Sequence, residues 1–181
     1  MIRVRHAIFA ALLLGAAPAL HGQARLNDLQ MAHVAVTASN IDIAYAHLAL
    51  ALSQDPGVRE FASTMIRDHG AVNEQVFALA RRLGVQAQDN AMSRQLLKDA
   101  ERIKDELSRR RGADFDRYYA QNELKYHQLV NGVVAETFIP NIQNAEVKKA
   151  FEGALVIFRG HERHAEMLVA ANAGGSGMSG K

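Results

Sequence analysis

The sequence contains no cysteine and no tryptophan, and only three prolines occur among its 181 residues. The missing cysteines exclude a disulfide-stabilised scaffold and the cysteine-ligated zinc and iron–sulfur sites. The small number of prolines excludes collagen and proline-rich disordered proteins. With 49% hydrophobic and 22% charged residues, the composition is that of an ordinary globular protein with one core.

The N-terminal residues have the features of a secretory signal peptide. Arg3 and Arg5 precede an apolar run over residues 7–20, which is shorter than the roughly 20 residues that a spanning helix needs. The small residues Gly22 and Ala24 predict cleavage after Ala24, so that residues 1–24 are removed. We therefore expect an exported protein of the periplasm or cell envelope without a stable membrane span after cleavage. An uncleaved membrane anchor is the alternative.

Removal of the signal peptide would leave a chain without net charge. It takes away two of the 21 Lys and Arg residues and none of the 19 Asp and Glu residues. The nearest approach to a basic patch, at residues 109–111, is a short cluster typical of a solvated helix end. We therefore exclude nucleic acid as a partner, because its binding requires a basic face.

Apolar residues recur at alternating steps of three and four through most of the remaining chain, which predicts amphipathic helices. No segment shows the period-two alternation of a β-strand. Pro140 is expected to end the fourth helix, and Ser93 is expected to cap the third. The predicted helices cover residues 31–54, 58–83, 93–109, 114–139 and 145–171.

Two helical hairpins joined by a linker with its own helix resemble the ferritin-like bundle, in which one long crossover connects the helix pairs. We predict an all-α, ferritin-like four-helix bundle over residues 25–172, with the short third helix as the crossover. A simple up-and-down bundle is the alternative. The glycine-rich residues 173–181 are predicted to form a disordered tail.

Four histidines lie on or beside the apolar stripes of the predicted helices: His69, His127, His161 and His164. Each is compatible with a core histidine that is hydrogen-bonded to a neighbouring side chain. Alternatively, Glu123 with His127, four residues apart, and the two last histidines, three residues apart, present paired ligands for a metal ion.

Distance along the helices tests whether these side chains can meet. Asp42 and His69 lie at similar distances from the turn between the first two helices, so an antiparallel hairpin places them in one layer. Counted from Asn141, His127 and His161 are offset by about 9 Å along the axis. This offset argues against one site that contains all four histidines.

The metal hypothesis is a divalent ion held inside the bundle by side chains from both hairpins. In it, Asp42 and His69 either complete the site or form a separate polar layer. The candidate ligands are Glu123, His127, His161, His164, His69 and Asp42.

No nucleophile elbow or glycine-rich phosphate loop occurs in the sequence, so we expect no enzymatic activity. Asp68 and His69 are adjacent and therefore point about 100° apart on a helix. Asp68 is thus expected to find its partner on another helix.

The order and spacing of several motifs resemble the exported bacterial family called domain of unknown function 4142. The resemblance covers about residues 28–170, and it implies a ferritin-like helical fold, a periplasmic or envelope location and no established reaction. The residues that carry it are Phe61-Ala62, Met65-Ile66-Arg67-Asp68-His69, Val72-Asn73, Asp89-Asn90, Ser93, Phe115-Asp116, Tyr119, Asn122-Glu123, Tyr126-His127, Ile139-Pro140, Asn144 and His161-x-x-His164-Ala165.

The family pattern singles out a set of polar residues without giving them a role. One departure is Ile157-Phe158-Arg159-Gly160, where many relatives have a proline, so a kink in the last helix is in doubt. The Glu and Glu-x-x-His set of di-iron carboxylate proteins is missing, and ferroxidase activity is not carried over. The residues singled out are Asp68, His69, Glu123, Tyr126, His127, His161 and His164.

Three functions follow as hypotheses. The first is a non-enzymatic envelope protein that binds an unidentified protein partner or serves a stress-related role, with a homo-oligomer left open. The second is the metal-binding bundle described above. The third is a small-ligand pocket between helices, lined by Tyr45, Tyr126 and Phe158.

Overall fold

The computed structural model describes residues 25–173. The predicted signal peptide and residues 174–181 of the predicted tail lie outside the described residues. Within residues 25–173 the structure is all-helical, as predicted, and has no β-strand. A π-helical turn, Val134–Phe138, joins α4 to α5. The helices are α1 (Asp28–Leu52), α2 (Pro56–Leu83), α3 (Ala91–Ser108), α4 (Gly112–Val133), α5 (Ile139–Asn141) and α6 (Ala145–Ala173).

Local capping explains the boundaries of the first two helices. Asn27 and Gln30 form a capping box at the start of α1, where each side chain accepts a hydrogen bond from the backbone N–H of the other. Asp55 accepts from the backbone of Val58 at the start of α2. Gly84 ends α2 with a φ of 66°, a left-handed conformation that favours glycine.

Helix α3 begins earlier than predicted because Asn90, not Ser93, is its N-cap. The Asn90 side chain accepts from the backbone N–H of Ser93 at 3.1 Å. Ser93 Oγ in turn accepts from the backbone N–H of Asn90 at 3.2 Å. This reciprocal pair is a capping box, and it places Ser93 inside the first turn of the helix.

Pro140 does not end the fourth helix, which corrects the prediction. The helical backbone continues through the π-helical turn and α5 as far as Asn141. The π-helical turn ends two residues before Pro140, whose missing N–H and ring disfavour the α-helical ladder. Helix α6 runs without interruption from Ala145 to Ala173, so the segment that departs from the family pattern contains no break.

The long helices pack in pairs around a common interior. Helix α1 packs along α2, and α4 packs along α6. Contacts of α2 with α6 and of α1 with α4 connect the two pairs, while α3 lies mainly against α1. By length and composition α1 would qualify as a membrane span, but half of its most apolar window is buried inside the protein. Its apolar character is therefore used in the core.

Two apolar clusters occupy the ends of this interior. The cluster near the α1–α2 turn includes Phe61, Leu107, Phe115 and Tyr119. The cluster at the opposite end includes Met31, Val34, Val134, Phe138 and Phe151. A layer of buried polar side chains lies between the two clusters, contributed by Asp42, His69, Glu123, His127 and His161.

Candidate metal centre

Five ionisable side chains from four helices meet in this layer, which we call the polar layer. Asp42 and Glu123 are fully buried, and the three histidines are at most 4% exposed. The imidazole rings of His69, His127 and His161 are almost equally spaced, with centroids 5.2, 5.5 and 5.8 Å apart. One nitrogen from each ring lies within 4.8 Å of the others.

The ring of His161 is held by Asp68 on α2. His161 Nε2 and Asp68 Oδ2 are 2.9 Å apart, and Arg67 donates to the other oxygen of Asp68 at 2.7 Å. Because a carboxylate accepts, Nε2 carries the proton and donates, which leaves Nδ1 with its lone pair. Within the described residues Nδ1 is buried without a hydrogen-bond partner. Asp68 thus finds its partner on another helix, as predicted.

The tautomer of His127 follows from a contact with the backbone of its own helix. Nδ1 lies 2.9 Å from the backbone carbonyl oxygen of Glu123, one turn earlier. A carbonyl only accepts, so Nδ1 carries the proton and Nε2 keeps its lone pair while the ring is neutral. Nε2 faces Asp42 Oδ2 at 3.3 Å. Two lone pairs therefore face each other, an arrangement that needs a proton or a metal ion between them.

Asp42 and His69 lie in the same layer, as the hairpin argument predicts. His69 Nε2 is 2.7 Å from Asp42 Oδ2, but the contact lacks the alignment of a hydrogen bond. The ring of His69 stacks on Phe158 with a centroid distance of 4.4 Å, which fixes its plane. Asp42 thus has its Oδ2 atom against two of the three histidines.

Burial sets the charges of the layer. Burial lowers the pKa of His161 to about 4, in spite of the Asp68 contact, and it also lowers the pKa of His127. Burial alone would raise the pKa of Asp42, but the adjacent histidines hold it at about 2. At neutral pH Asp42 is therefore an anion beside neutral His127 and His161, and neutral imidazole is the form that binds metals.

Glu123 differs from Asp42 although both are fully buried. Burial raises the pKa of Glu123 well above its usual range, and the neighbouring Asp42 carboxylate raises it further. Asp42, Glu123 and His127 form a second set of donors whose atoms lie within 4.8 Å of one another. Glu123 lies beside Asp42 and Asn122, but neither of its oxygens makes a contact with hydrogen-bond geometry among residues 25–173.

A small cavity of about 10 Å³ opens beside these donors. Its lining includes Asp42, His69, His127, Asn131 and Phe158. This volume is close to the minimum for one water-sized atom. The predicted small-ligand pocket is not found among the described residues: Phe158 stacks on His69, Tyr45 packs edge-on against Tyr126, and the cavity that borders Tyr126 and Phe158 has room for about one water-sized atom.

His164 does not join the other histidines. Its ring packs edge-on against Phe61, with centroids 5.0 Å apart, and it belongs to neither donor set. The predicted offset between His127 and His161 is also wrong, since their centroids are 5.5 Å apart. Because helical backbone extends to Asn141, the turn centres on Gln143, and the two histidines lie 16 positions before it and 18 after it.

Two buried residues of α4 next to the polar layer were missed by the metal hypothesis. Tyr119 and Asn131 continue the line of Glu123 and His127 at steps of four residues, a spacing that could have revealed them. The Tyr119 hydroxyl has no hydrogen-bond partner in the described part of the chain. Asn131 donates to Glu162 at 2.7 Å.

A larger apolar groove of about 300 Å³ lies between α1, α2 and the start of α6. Its lining includes Val36, Val76, Phe77, Leu83 and Phe151, and none of the residues of the polar layer. The groove therefore has none of the chemistry of the candidate metal centre.

A family model described as "Domain of unknown function (DUF4142)" matches residues 15–168. The chain belongs to this DUF4142 family. The match confirms the resemblance seen in the sequence, and it covers all the residues of the polar layer. No curated protein matches this DUF4142 protein significantly.

The DUF4142 chain is also similar to a solved structure described as "CopM in the Cu(II)-bound form". The TM-score is 0.61 at 14% sequence identity, and the match covers 81% of this chain and 98% of CopM. At this identity the similarity shows a shared helical fold.

Proposed function

We propose that this protein is an exported, non-enzymatic metal-binding protein that holds a divalent transition-metal ion with His69, His127, His161 and Asp42. The observation that carries the proposal is the set of unpartnered, converging donor atoms in the polar layer. Buried polar groups normally have partners, because each unsatisfied one costs about 1–3 kcal/mol. A bound cation would supply the missing partner to all four residues at once.

The contact between Asp68 and His161 supports this assignment. Histidine ligands of metals usually donate their second N–H to a carboxylate or carbonyl, which orients the ring. His161 donates to Asp68, and His127 donates to the backbone of Glu123. Both rings therefore already have the orientation and tautomer that a metal ligand requires.

The donor set favours copper or zinc. Neutral imidazole nitrogens suit Zn²⁺, Cu²⁺, Fe²⁺ and Ni²⁺, and the general order of affinities places Cu²⁺ first. The similarity of the fold to the Cu(II)-bound form of CopM makes Cu²⁺ the first ion to test. The cavity beside the donors is too small for an organic substrate, which supports storage or transfer of the ion rather than catalysis.

The proposal includes the finer architecture and location. We assign a ferritin-like four-helix bundle made of α1, α2, α4 and α6, with α3 as the crossover, on the basis of the helix contacts. The apolar run over residues 7–20 behind Arg3 and Arg5 supports export, with residues 1–24 removed, residues 25–172 as the domain and residues 173–181 as a tail.

The test is metal analysis of the mature protein, purified from the periplasm without a histidine tag. The protein is loaded with Cu²⁺ or Zn²⁺, desalted and analysed by elemental mass spectrometry. His161→Ala is compared with the matched variant His164→Ala, since His164 lies only three residues away and outside the donor sets. Circular dichroism checks that both variants are folded.

We expect at least one tightly held ion in the wild type and in His164→Ala, and its loss from folded His161→Ala. Equal retention by the two variants would contradict the assigned ligands. A wild-type protein that retains neither ion would overturn the function itself, and the first hypothesis, a partner-binding envelope protein, would take its place.

A further inference from the structure

The polar layer contains more donor atoms than one ion can use. The histidine set and the carboxylate set share His127. That ring has only one free nitrogen, because Nδ1 is committed to the carbonyl of Glu123. His127 can therefore bind only one ion. If it binds an ion together with His69 and His161, a second ion must be held by Asp42 and Glu123 without His127.

An ion held by the three histidines leaves the carboxylate side of the layer unsatisfied. Both oxygens of Glu123 and Oδ1 of Asp42 are buried without a hydrogen-bond partner in the described structure. The hydroxyl of Tyr119, one helical turn from Glu123, is also buried without a hydrogen-bond partner in this part of the chain. These oxygen atoms could bind a cation, and burial of an isolated carboxylate in a protein core costs free energy.

Asp42 connects the two sides. Its Oδ2 atom lies against His69 and His127, at 2.7 and 3.3 Å. It also belongs to the set that contains Glu123. A carboxylate has two oxygens with about four acceptor positions, so it can serve an ion on each side.

We propose that the centre binds two divalent cations, the first at the three histidines and the second, oxygen-coordinated, between Asp42 and Glu123, with the Asp42 carboxylate shared. This inference rests on the proposed function, because it assumes the first ion.

The competing arrangement is a one-ion centre in which protonated Glu123 donates a hydrogen bond to Asp42. Glu123→Gln separates the two cases, since glutamine keeps the size and a donor group but cannot become an anionic ligand. Glu162→Gln is the matched control. Glu162 lies at the edge of the layer, bonded to Asn131, and belongs to neither donor set.

The experiment counts Zn²⁺ ions by native mass spectrometry of the mature wild type, Glu123→Gln and Glu162→Gln. We expect two ions in the wild type and in Glu162→Gln, and one in Glu123→Gln. Loading with Cu²⁺ gives an independent readout. Two neighbouring Cu²⁺ ions weaken the electron paramagnetic resonance signal of the wild type, and Glu123→Gln restores the signal of a single ion.

Each other number of bound Zn²⁺ ions leads to one conclusion. One ion in both the wild type and Glu123→Gln would overturn the second site and leave the proposed function intact. Two ions in both would overturn the role of Glu123. No ion in the wild type would overturn both proposals. Native mass spectra also show the narrow charge distribution of folded protein, so an unfolded variant is recognised directly.

Discussion

Two groups of buried polar side chains in this protein differ in how they are satisfied. At the helix ends, Ser53 donates to Asp116 at 2.5 Å, and Asn90 and Ser93 bond each other in a capping box. In the polar layer, by contrast, each of the five residues has at least one side-chain oxygen or nitrogen without a hydrogen-bond partner within residues 25–173. Both groups are buried to a similar extent.

Under the proposed function, the helix-end group has a structural role and the polar layer a metal-binding role. A buried polar pair that satisfies its hydrogen bonds contributes about 0.5–1.5 kcal/mol per bond, and it fixes where a helix starts or ends. Unsatisfied groups lower stability instead. Under the proposed function, a bound cation completes this layer between the two apolar clusters.

The largest expected effect is stabilisation by the metal. Zn²⁺ at about 100 times its dissociation constant should add about 2.7 kcal/mol to the free energy of unfolding. For a chain of this size the melting temperature should rise by about 5–10 °C. Thermal unfolding followed by circular dichroism measures the shift. His69→Ala should lose it and Asn90→Ala should keep it, whereas the same shift in both would show binding elsewhere.

An intermediate effect, with the opposite sign from ordinary core mutations, is expected for Glu123→Met. Replacement of an unsatisfied buried carboxyl by an apolar side chain of similar size should stabilise the metal-free protein by about 1–2 kcal/mol. Urea denaturation with a chelator present measures this change. Ser53→Ala is the control from the helix-end group and should be destabilised. A loss of stability in Glu123→Met would mean that Glu123 has a partner in the metal-free state.

The smallest effect concerns the helix-end group alone. Asn90→Ala should lower the free energy of unfolding by about 1 kcal/mol, because it removes the N-cap of α3. Asn90→Asp, which keeps the accepting oxygen, should recover most of this loss. Zn²⁺ binding, measured by titration calorimetry, should be unchanged in both variants. A weaker affinity in Asn90→Ala would show that the two groups are coupled.

Much of the fold was predictable because its signals are local. The apolar stripes predicted every long helix, and Gly84 ends α2 as expected. Ser93 was wrongly predicted as the N-cap of α3, because Asn90 and Ser93 both have suitable side chains and only the backbone shows which one lies outside the helix. Pro140 was wrongly predicted to stop α4, because a π-helical turn accommodates it.

The candidate site was predictable where a short turn defines the register. Only three residues connect α1 to α2. The number of residues from this turn to Asp42 and to His69 therefore predicts that the two side chains meet. The meeting of His127 and His161 could not be predicted in this way, because the second turn centres two residues beyond Asn141. An error of two residues at a turn displaces facing residues by four positions, about 6 Å.

The sequence by itself determined the helices, their apolar faces and the set of residues able to bind a metal, because periodicity and capping act over a few neighbouring residues. Only the tertiary structure decided which of those residues meet. It brought His161 to the polar layer and His164 to Phe61, and it left one free nitrogen on His127. These outcomes depend on helix register and on contacts between distant segments, which no local pattern specifies.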